Sequence, residues 1–282
     1  MTGATASTLK VAAAQLATRL DDIDANVALH LAAIDDARTR GVQLLLFPEL
    51  SLVGHSAGRD AVRLALAMES APVRRLVEAA GPMAVGFGLI EGADFGLFYN
   101  SLVFARDGQV MACHRKVALA TYGRLDDGMY FARGTRMDLV AMQPGWRVAV
   151  GICNDVWQPG LVTAAMMRGA TLQLAPISSA IQAVGAGFDN PAGWDLNLRF
   201  NAMTWGCPVV MANRVGAEPG LEFWGGSRVL DAFGQEVARA DGAHEQLVCA
   251  QLDLQSMRRA RFTLPTLRDA LALAGIQGDF DA

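Results

Sequence analysis

Short apolar runs alternate with amphipathic stretches along most of the chain, and the spacing of the apolar positions assigns them to elements. LKVAAAQL and VQLLLFPEL read as buried strands, the second broken at Pro48, whose ring removes a backbone donor. Between them, DIDANVALHLAAIDDARTRG carries the spacing of an amphipathic helix that stops at Gly41. AVRLALAMESAPVRRLVEAAG reads as a further helix. MAVGFGLIEG, YNSLVFARDGQVMACHRKVAL and RVAVGIC read as strands, the middle one a hairpin turning at RDGQ. Then come a helix at GLVTAAMMRGA, a strand at TLQLAPIS, a helix around NLRFNAMTW, a strand at PVVMANRVG and a closing hairpin at DAFGQ.

This is α/β alternation with antiparallel hairpins interspersed, the pattern of helices packed on the outer faces of stacked sheets. No linker, repeat or low-complexity stretch interrupts it. The expected organisation is a disordered tail over residues 1–7, one domain over residues 8–262 and a helical tail over residues 263–282.

Composition agrees: 282 residues, 52% of them hydrophobic and 18% charged, describe a soluble globular chain with a large core. A formal net charge of -4 leaves no basic stripe for a phosphate backbone, so the expected partner is a small molecule and not nucleic acid. No apolar run approaches the roughly 18 residues of a membrane span, and MTGATASTLK lacks the apolar core of a signal peptide. A cytoplasmic location without membrane contact is expected. Cys113, Cys153, Cys207 and Cys249 show no paired spacing, which argues against disulfides and zinc. Cys113, Cys207 and Cys249 lie in strand-like runs and read as structural. His30, His55, His114 and His244 form no ligand spacing, so neither a metal nor a cofactor is expected.

Cys153 stands out because VAVGIC ends there, ahead of polar residues, Trp157, Pro159 and Gly160. A strand that stops at a turn lifts the thiol out of the core, and a helix N-terminus just beyond favours negative charge. Both effects favour the thiolate, the reactive species; an inert core thiol is the plain alternative. Two ionisable residues occupy the same kind of position. Glu49 follows LLLFP, and Lys116 opens the strand-like KVAL after CHR. A solvated strand end would explain either alone. Together the three supply what acyl transfer by a thiol requires: a carboxylate to take the thiol proton, an ammonium to stabilise an oxyanion, and a thiolate to attack. Such groups would also couple one another's titrations.

FPELSLVG, HRKVALATYG and GICNDVWQPG resemble, in order and spacing, the glutamate, lysine and cysteine motifs of the nitrilase superfamily of carbon-nitrogen hydrolases. ANRVG and FWGGSRVLDAFGQEVA are similar to its late strands and closing hairpin, so the resemblance runs over nearly the whole chain. It implies a four-layer α-β-β-α sandwich, built into homodimers or higher homo-oligomers through the sheet faces and the helices beside the cysteine. It further implies Glu49 as general base, Lys116 as oxyanion stabiliser and Cys153 as nucleophile, with the backbone N–H of Asn154 as a second oxyanion donor. Many members carry a second glutamate downstream of the lysine. LDDGMYFARG puts Asp127 at that position, one methylene shorter, with Asp126 beside it as the substitute.

Members that hydrolyse nitriles often follow the cysteine with Trp-Glu, whereas Asn154 and Asp155 stand here. The resemblance therefore implies hydrolysis of a small linear carboxamide or carbamoyl compound, with release of ammonia or an amine; a nitrilase acting on a small nitrile is the alternative. ATYGRLDDGMYFARG and CNDVW are similar to the glutaminase part of glutamine-dependent NAD synthetases. The chain stops before a synthetase domain, so a free-standing amidase is expected. By motif proximity Tyr122, Trp157 and His55 are either pocket-lining or plain packing. Ser178 and Ser179 either face the substrate or end their strand. Two rivals remain: a Ser-Ser-Lys hydrolase built on Lys116, Ser178 and Ser179, whose glycine-rich loop is missing, and a catalytically silent oligomeric scaffold of the same family. The glycine pairs of VGFGLIEG and VGAGFDN complete no phosphate-cradling loop.

Overall fold

The computed structural model describes residues 7–274. The expected N-terminal tail, Ser7 apart, and residues 275–282 of the expected C-terminal tail lie outside the described residues.

The first half of the chain forms β1 (Thr8–Gln15), α1 (Ile23–Thr39), β2 (Leu44–Leu46), α2 (Ala61–Leu64), α3 (Ala71–Ala80), β3 (Ala84–Gly92), β4 (Phe98–Arg106), β5 (Gln109–Arg115) and the single turn α4 (Asp127–Tyr130). The second half forms β6 (Leu139–Gln143), β7 (Trp146–Val150), α5 (Pro159–Met167), β8 (Leu172–Pro176), α6 (Asn190–Trp205) and β9 (Val209–Ala212). The hairpins β10 (Val215–Glu218) with β11 (Leu221–Trp224) and β12 (Arg228–Leu230) with β13 (Glu236–Arg239) follow, then β14 (Gln246–Asp253), α7 (Leu254–Thr263) and α8 (Thr266–Ala274).

Two six-stranded sheets result, in the orders β14-β1-β2-β3-β4-β5 and β13-β12-β9-β8-β7-β6. Each has a parallel centre, β1-β2-β3 or β7-β8-β9, and antiparallel margins. Side-chain parity then fixes the layers, because successive residues of a strand point to opposite faces. Leu9, Val11, Leu44, Leu46, Leu102 and Phe104 of the first sheet share a core with Val148, Val150, Leu172, Leu174, Val210 and Ala212 of the second. The intervening Ala12, Ala14, Leu45 and Val103 face outward onto α1 and α3. On the far side Val209 and Met211 pack on α6, and Ala149 packs on α5. The order is helices, sheet, sheet, helices, the α-β-β-α sandwich that the resemblance implies.

Several element boundaries differ from the sequence reading. The helix expected over AVRLALAMESAPVRRLVEAAG is two helices. Ala65 turns extended, Leu66 pairs with Glu91 beside β3, and α3 restarts with Pro72 in its first turn. VQLLLFPEL gives only the three residues of β2. KVAL is not a strand, since β5 ends at Arg115 and Lys116 begins an irregular segment. Cys207 is buried in the turn between α6 and β9 and not within a strand. α6 starts well before NLRFNAMTW, with Asp189 capping its first turn through Ala192 N at 3.1 Å. β6 and the two strands of the β10–β11 hairpin are only five and four residues long, too short for a period to be read from the sequence.

Candidate active site

Glu49, Lys116 and Cys153 each follow the carboxyl end of a strand. Glu49 comes shortly after β2, Lys116 directly after β5, Cys153 shortly after β7, and Ser178 directly follows Ile177 beyond β8. The carboxyl ends of parallel strands are where open α/β sheets gather ligands, since the chain must leave the sheet there and expose polar backbone. Both sheets point these ends to one place, where Glu49 N donates to Ile177 O at 3.3 Å across the gap between them.

At that place Lys116 Nζ donates to Glu49 Oε1 and to Asp127 Oδ2, both at 2.6 Å. Lys116 is only 2% exposed, a degree of burial an ammonium tolerates when paired. Burial alone would lower its pKa, but the Asp127 and Glu49 carboxylates raise it well above the ordinary lysine range. Glu49 is held at both oxygens: Asn100 Nδ2 donates to Oε1 at 2.8 Å and Ser178 N to Oε2 at 2.9 Å. Asp127 also accepts from Ala120 N at 3.1 Å. The shorter acid reaches the lysine because α4 starts at Asp127 and brings its backbone close. Asp126 does not stand in for it, since it pairs instead with Arg59 at 3.5 Å near the surface.

Cys153 lies at the start of a 3-10 turn, Cys153–Trp157, with φ +47°, a left-handed conformation that a side-chain-bearing residue adopts only under constraint. The constraint is Asp155. Its Oδ1 accepts from Val117 N at 2.9 Å and Ala118 N at 2.7 Å, and its Oδ2 accepts from Ile152 N at 3.0 Å and pairs with His114 Nε2 at 3.1 Å. One buried carboxylate thus fastens the cysteine turn to the segment that follows Lys116. The sequence expectation of a favoured thiolate is not met. Burial, and then the Glu49 carboxylate, push the Cys153 thiol well above the ordinary cysteine range, against the pull of Lys116. The turn beyond it is 3-10 and short, with α5 beginning only at Pro159.

Glu49, Lys116, Asp127 and Cys153 line one cavity of about 230 Å³, and so do Asn154, Tyr122, Trp157, His55, Ser178 and Ser179. Tyr122 Oη donates to Asn154 Oδ1 at 3.0 Å. Burial, and after it Cys153, push the Tyr122 hydroxyl up to about 12, so it is a donor at neutral pH. Ser178 Oγ is buried and has no hydrogen-bond partner among the described residues. Ser179 Oγ instead accepts from Asn190 Nδ2 at 2.8 Å and Trp194 Nε1 at 3.0 Å. No hydrogen bond joins Lys116 to Ser178 or Ser179 among the described residues, which removes the geometric basis of a Ser-Ser-Lys site.

Sequence reading missed Asn100, Asp155, Phe188, Asn190 and Trp194. Asn100 was signalled by an amide inside the apolar run YNSLVF, a position that needs a partner when buried. The Asp155 carboxylate makes one local bond, to Ile152 N, but its remaining contacts and those of the others come from distant segments and leave no local pattern.

The sequence matches the profile of the family described as Carbon-nitrogen hydrolase over residues 10–262. It is 32% identical over 276 residues to an (R)-stereoselective amidase of a Pseudomonas species, covering 95% of this chain and 94% of that one. It is 29% identical over 264 residues to a glutamine-dependent NAD(+) synthetase of Thermotoga maritima, covering 92% of this chain and 45% of the other; it therefore spans about half the length of that relative. A solved variant of the amidase from Nesterenkonia sp. AN1 carries the acetamide moiety of fluoroacetamide covalently added at its active-site cysteine. It matches with a TM-score of 0.78 at 26% identity, over 92% of this chain and 96% of that one. With the profile spanning most of the described sandwich, the chain belongs to the carbon-nitrogen hydrolase family, the nitrilase superfamily.

Proposed function

We propose that the protein is an amidohydrolase that cleaves the carbon–nitrogen bond of a small carboxamide or carbamoyl compound through a thioester on Cys153. The observation that carries this reading is the buried ammonium of Lys116, bridged between the Glu49 and Asp127 carboxylates in the cavity that Cys153 lines. Because the resting thiol is held above its usual range, its proton passes to Glu49 as sulfur attacks the carbonyl carbon, and no free thiolate accumulates. The tetrahedral oxyanion is met by the Lys116 ammonium and the backbone N–H of Asn154. Collapse breaks the C–N bond, Glu49 returns its proton to the leaving nitrogen, and ammonia or an amine departs. Water then gives a proton to Glu49 and attacks the thioester, and as the C–S bond breaks Glu49 returns that proton to sulfur, restoring the thiol and releasing the acid. Asp127 shares the charge of Lys116 and keeps the ammonium from collapsing onto Glu49 alone.

Assembly into homo-oligomers belongs to the same reading: α6 presents Leu196, Phe200 and Met203, 72%, 56% and 48% exposed, as a stripe along one face. The catalytic reading is tested by ammonia release from a panel of amides, carbamoyl compounds and nitriles. Turnover of amides that is lost in Cys153→Ala supports it. Turnover of nitriles alone, or none on any of these classes, refutes it and leaves respectively the nitrilase or the silent scaffold.

A further inference from the structure

The part of the cavity beyond Cys153 is walled by carbon. Trp157 packs edge-on against Trp194 and Phe188, with ring centroids 5.2 Å and 6.2 Å away, and Leu125 and Val184 contribute to the lining. Two of the polar donors of this wall are already occupied. Asn190 Nδ2 is bound to Ser179 Oγ and to Ala180 O at 2.7 Å, and Trp194 Nε1 also goes to Ser179 Oγ. Among the described residues the charged side chains lining the cavity are Glu49, Lys116 and Asp127, and the one cation among them, Lys116, is already paired with both carboxylates. No cation is left to pair with a carboxylate on the substrate, and desolvating such a group unpaired is strongly unfavourable. Among the described residues lining the cavity, the buried hydroxyl without a partner is Ser178 Oγ, on the residue whose N–H binds Glu49, where a substrate amide needs a partner. At about 230 Å³ the cavity is smaller than the roughly 300–1,000 Å³ of drug-sized sites, and fits a single ring or short branched chain.

We propose that this site selects uncharged primary amides with an apolar acyl group, an aromatic ring or branched alkyl chain, and discriminates against amides that carry an ionised amino-acid end. The proposal rests on the amidohydrolase reading for its chemistry. Its main competitor is a longer substrate whose charged end reaches the neighbouring depression lined by Arg59, Asp60, Arg124 and Asp126, which shares His55 with the cavity.

Two measurements separate the inference from the reading beneath it. With wild-type protein, kcat/KM for ammonia release is compared for benzamide, phenylacetamide and isobutyramide against L-glutamine and L-citrulline. With Cys153→Ala, binding of the same compounds is followed by calorimetry. The expected result is kcat/KM at least about 100-fold higher, and binding at least about tenfold tighter, for the apolar set. Phe188→Ala, at a half-exposed position where the fold tolerates truncation, is expected to narrow that ratio. Turnover of glutamine or citrulline as fast as the apolar amides overturns the selectivity while the hydrolase reading stands. Tighter binding of apolar amides without any turnover does the reverse. Failure of Cys153→Ala to bind the apolar set overturns the inference.

Discussion

Lys116 decides the character of the site at the scale of single residues. A buried ammonium needs compensation, and two carboxylates at 2.6 Å supply it, one of them the aspartate whose short side chain made its role open in the sequence. Asp127→Asn keeps the shape but removes half of that compensation, and kcat/KM for the amide is expected to fall by roughly 10²-fold or more, on the scale of losing one electrostatic contact in a transition state. Unchanged kinetics would show that Asp127 only fills space. The raised Cys153 thiol gives a second expectation. Alkylation of Cys153 by iodoacetamide, followed by peptide mass spectrometry, should still accelerate above pH 9.0, where an ordinary thiol begins to level off. A plateau reached near neutrality would mean a preformed thiolate. Glu49, Lys116 and Cys153 were legible as candidates because charge or sulfur at the end of an apolar run is a local signal. That the thiol is raised was not legible, since it depends on burial and on Glu49 lying nearby.

At the scale of elements, the site depends on turns pinned by other segments. Asp155 collects its bonds from the cysteine turn, from His114 on β5 and from the segment after Lys116. Asp155→Ala strands these donors in the interior, and the expected cost is about 3–5 kcal/mol of stability by chemical denaturation, as for breaking a buried charged network. A loss under about 1 kcal/mol would show that Cys153 holds its left-handed backbone without the clamp. Gly88 of β3 is a similar case on the glutamate side. A Cβ there would lie 2.4 Å from Leu50 N, so only glycine lets β3 run against the Glu49 turn. Regular elements with a strong period, such as α1, β4 and β14, were readable in the sequence. The break at Ala65 and the irregular backbone after Arg115 were not, because tertiary pairing overrode the local pattern.

For the whole molecule, two sheets meeting face to face bury polar groups with the apolar ones, and pH then acts on stability. His30 of α1 is fully buried, stacks on Phe47 with ring centroids 4.0 Å apart and meets Ser51 Oγ at 2.9 Å behind the Glu49 turn. Burial lowers its pKa from 6.5 to about 4. Between these values the unfolded chain binds a proton that the folded chain does not, so stability falls as pH falls through this window, by up to roughly 3 kcal/mol from this group. Unfolding free energies of wild type and His30→Gln, measured at about pH 7 and about pH 4, check the sign: wild type should lose more on acidification. Equal losses would mean that His30 is protonated in the folded state. The sandwich itself was implied by family motifs and by strand and helix alternation, whereas which buried histidine titrates required the assembled core.

The proposed chemistry stands or falls on a covalent bond to one sulfur. Wild type mixed with a carboxamide it turns over, quenched in acid and digested, should yield the peptide containing Cys153 heavier by the acyl group, and Cys153→Ala should neither carry that mass nor release ammonia. Acyl mass on Ser178 or Ser179, or ammonia released by Cys153→Ala at the wild-type rate, would contradict the account.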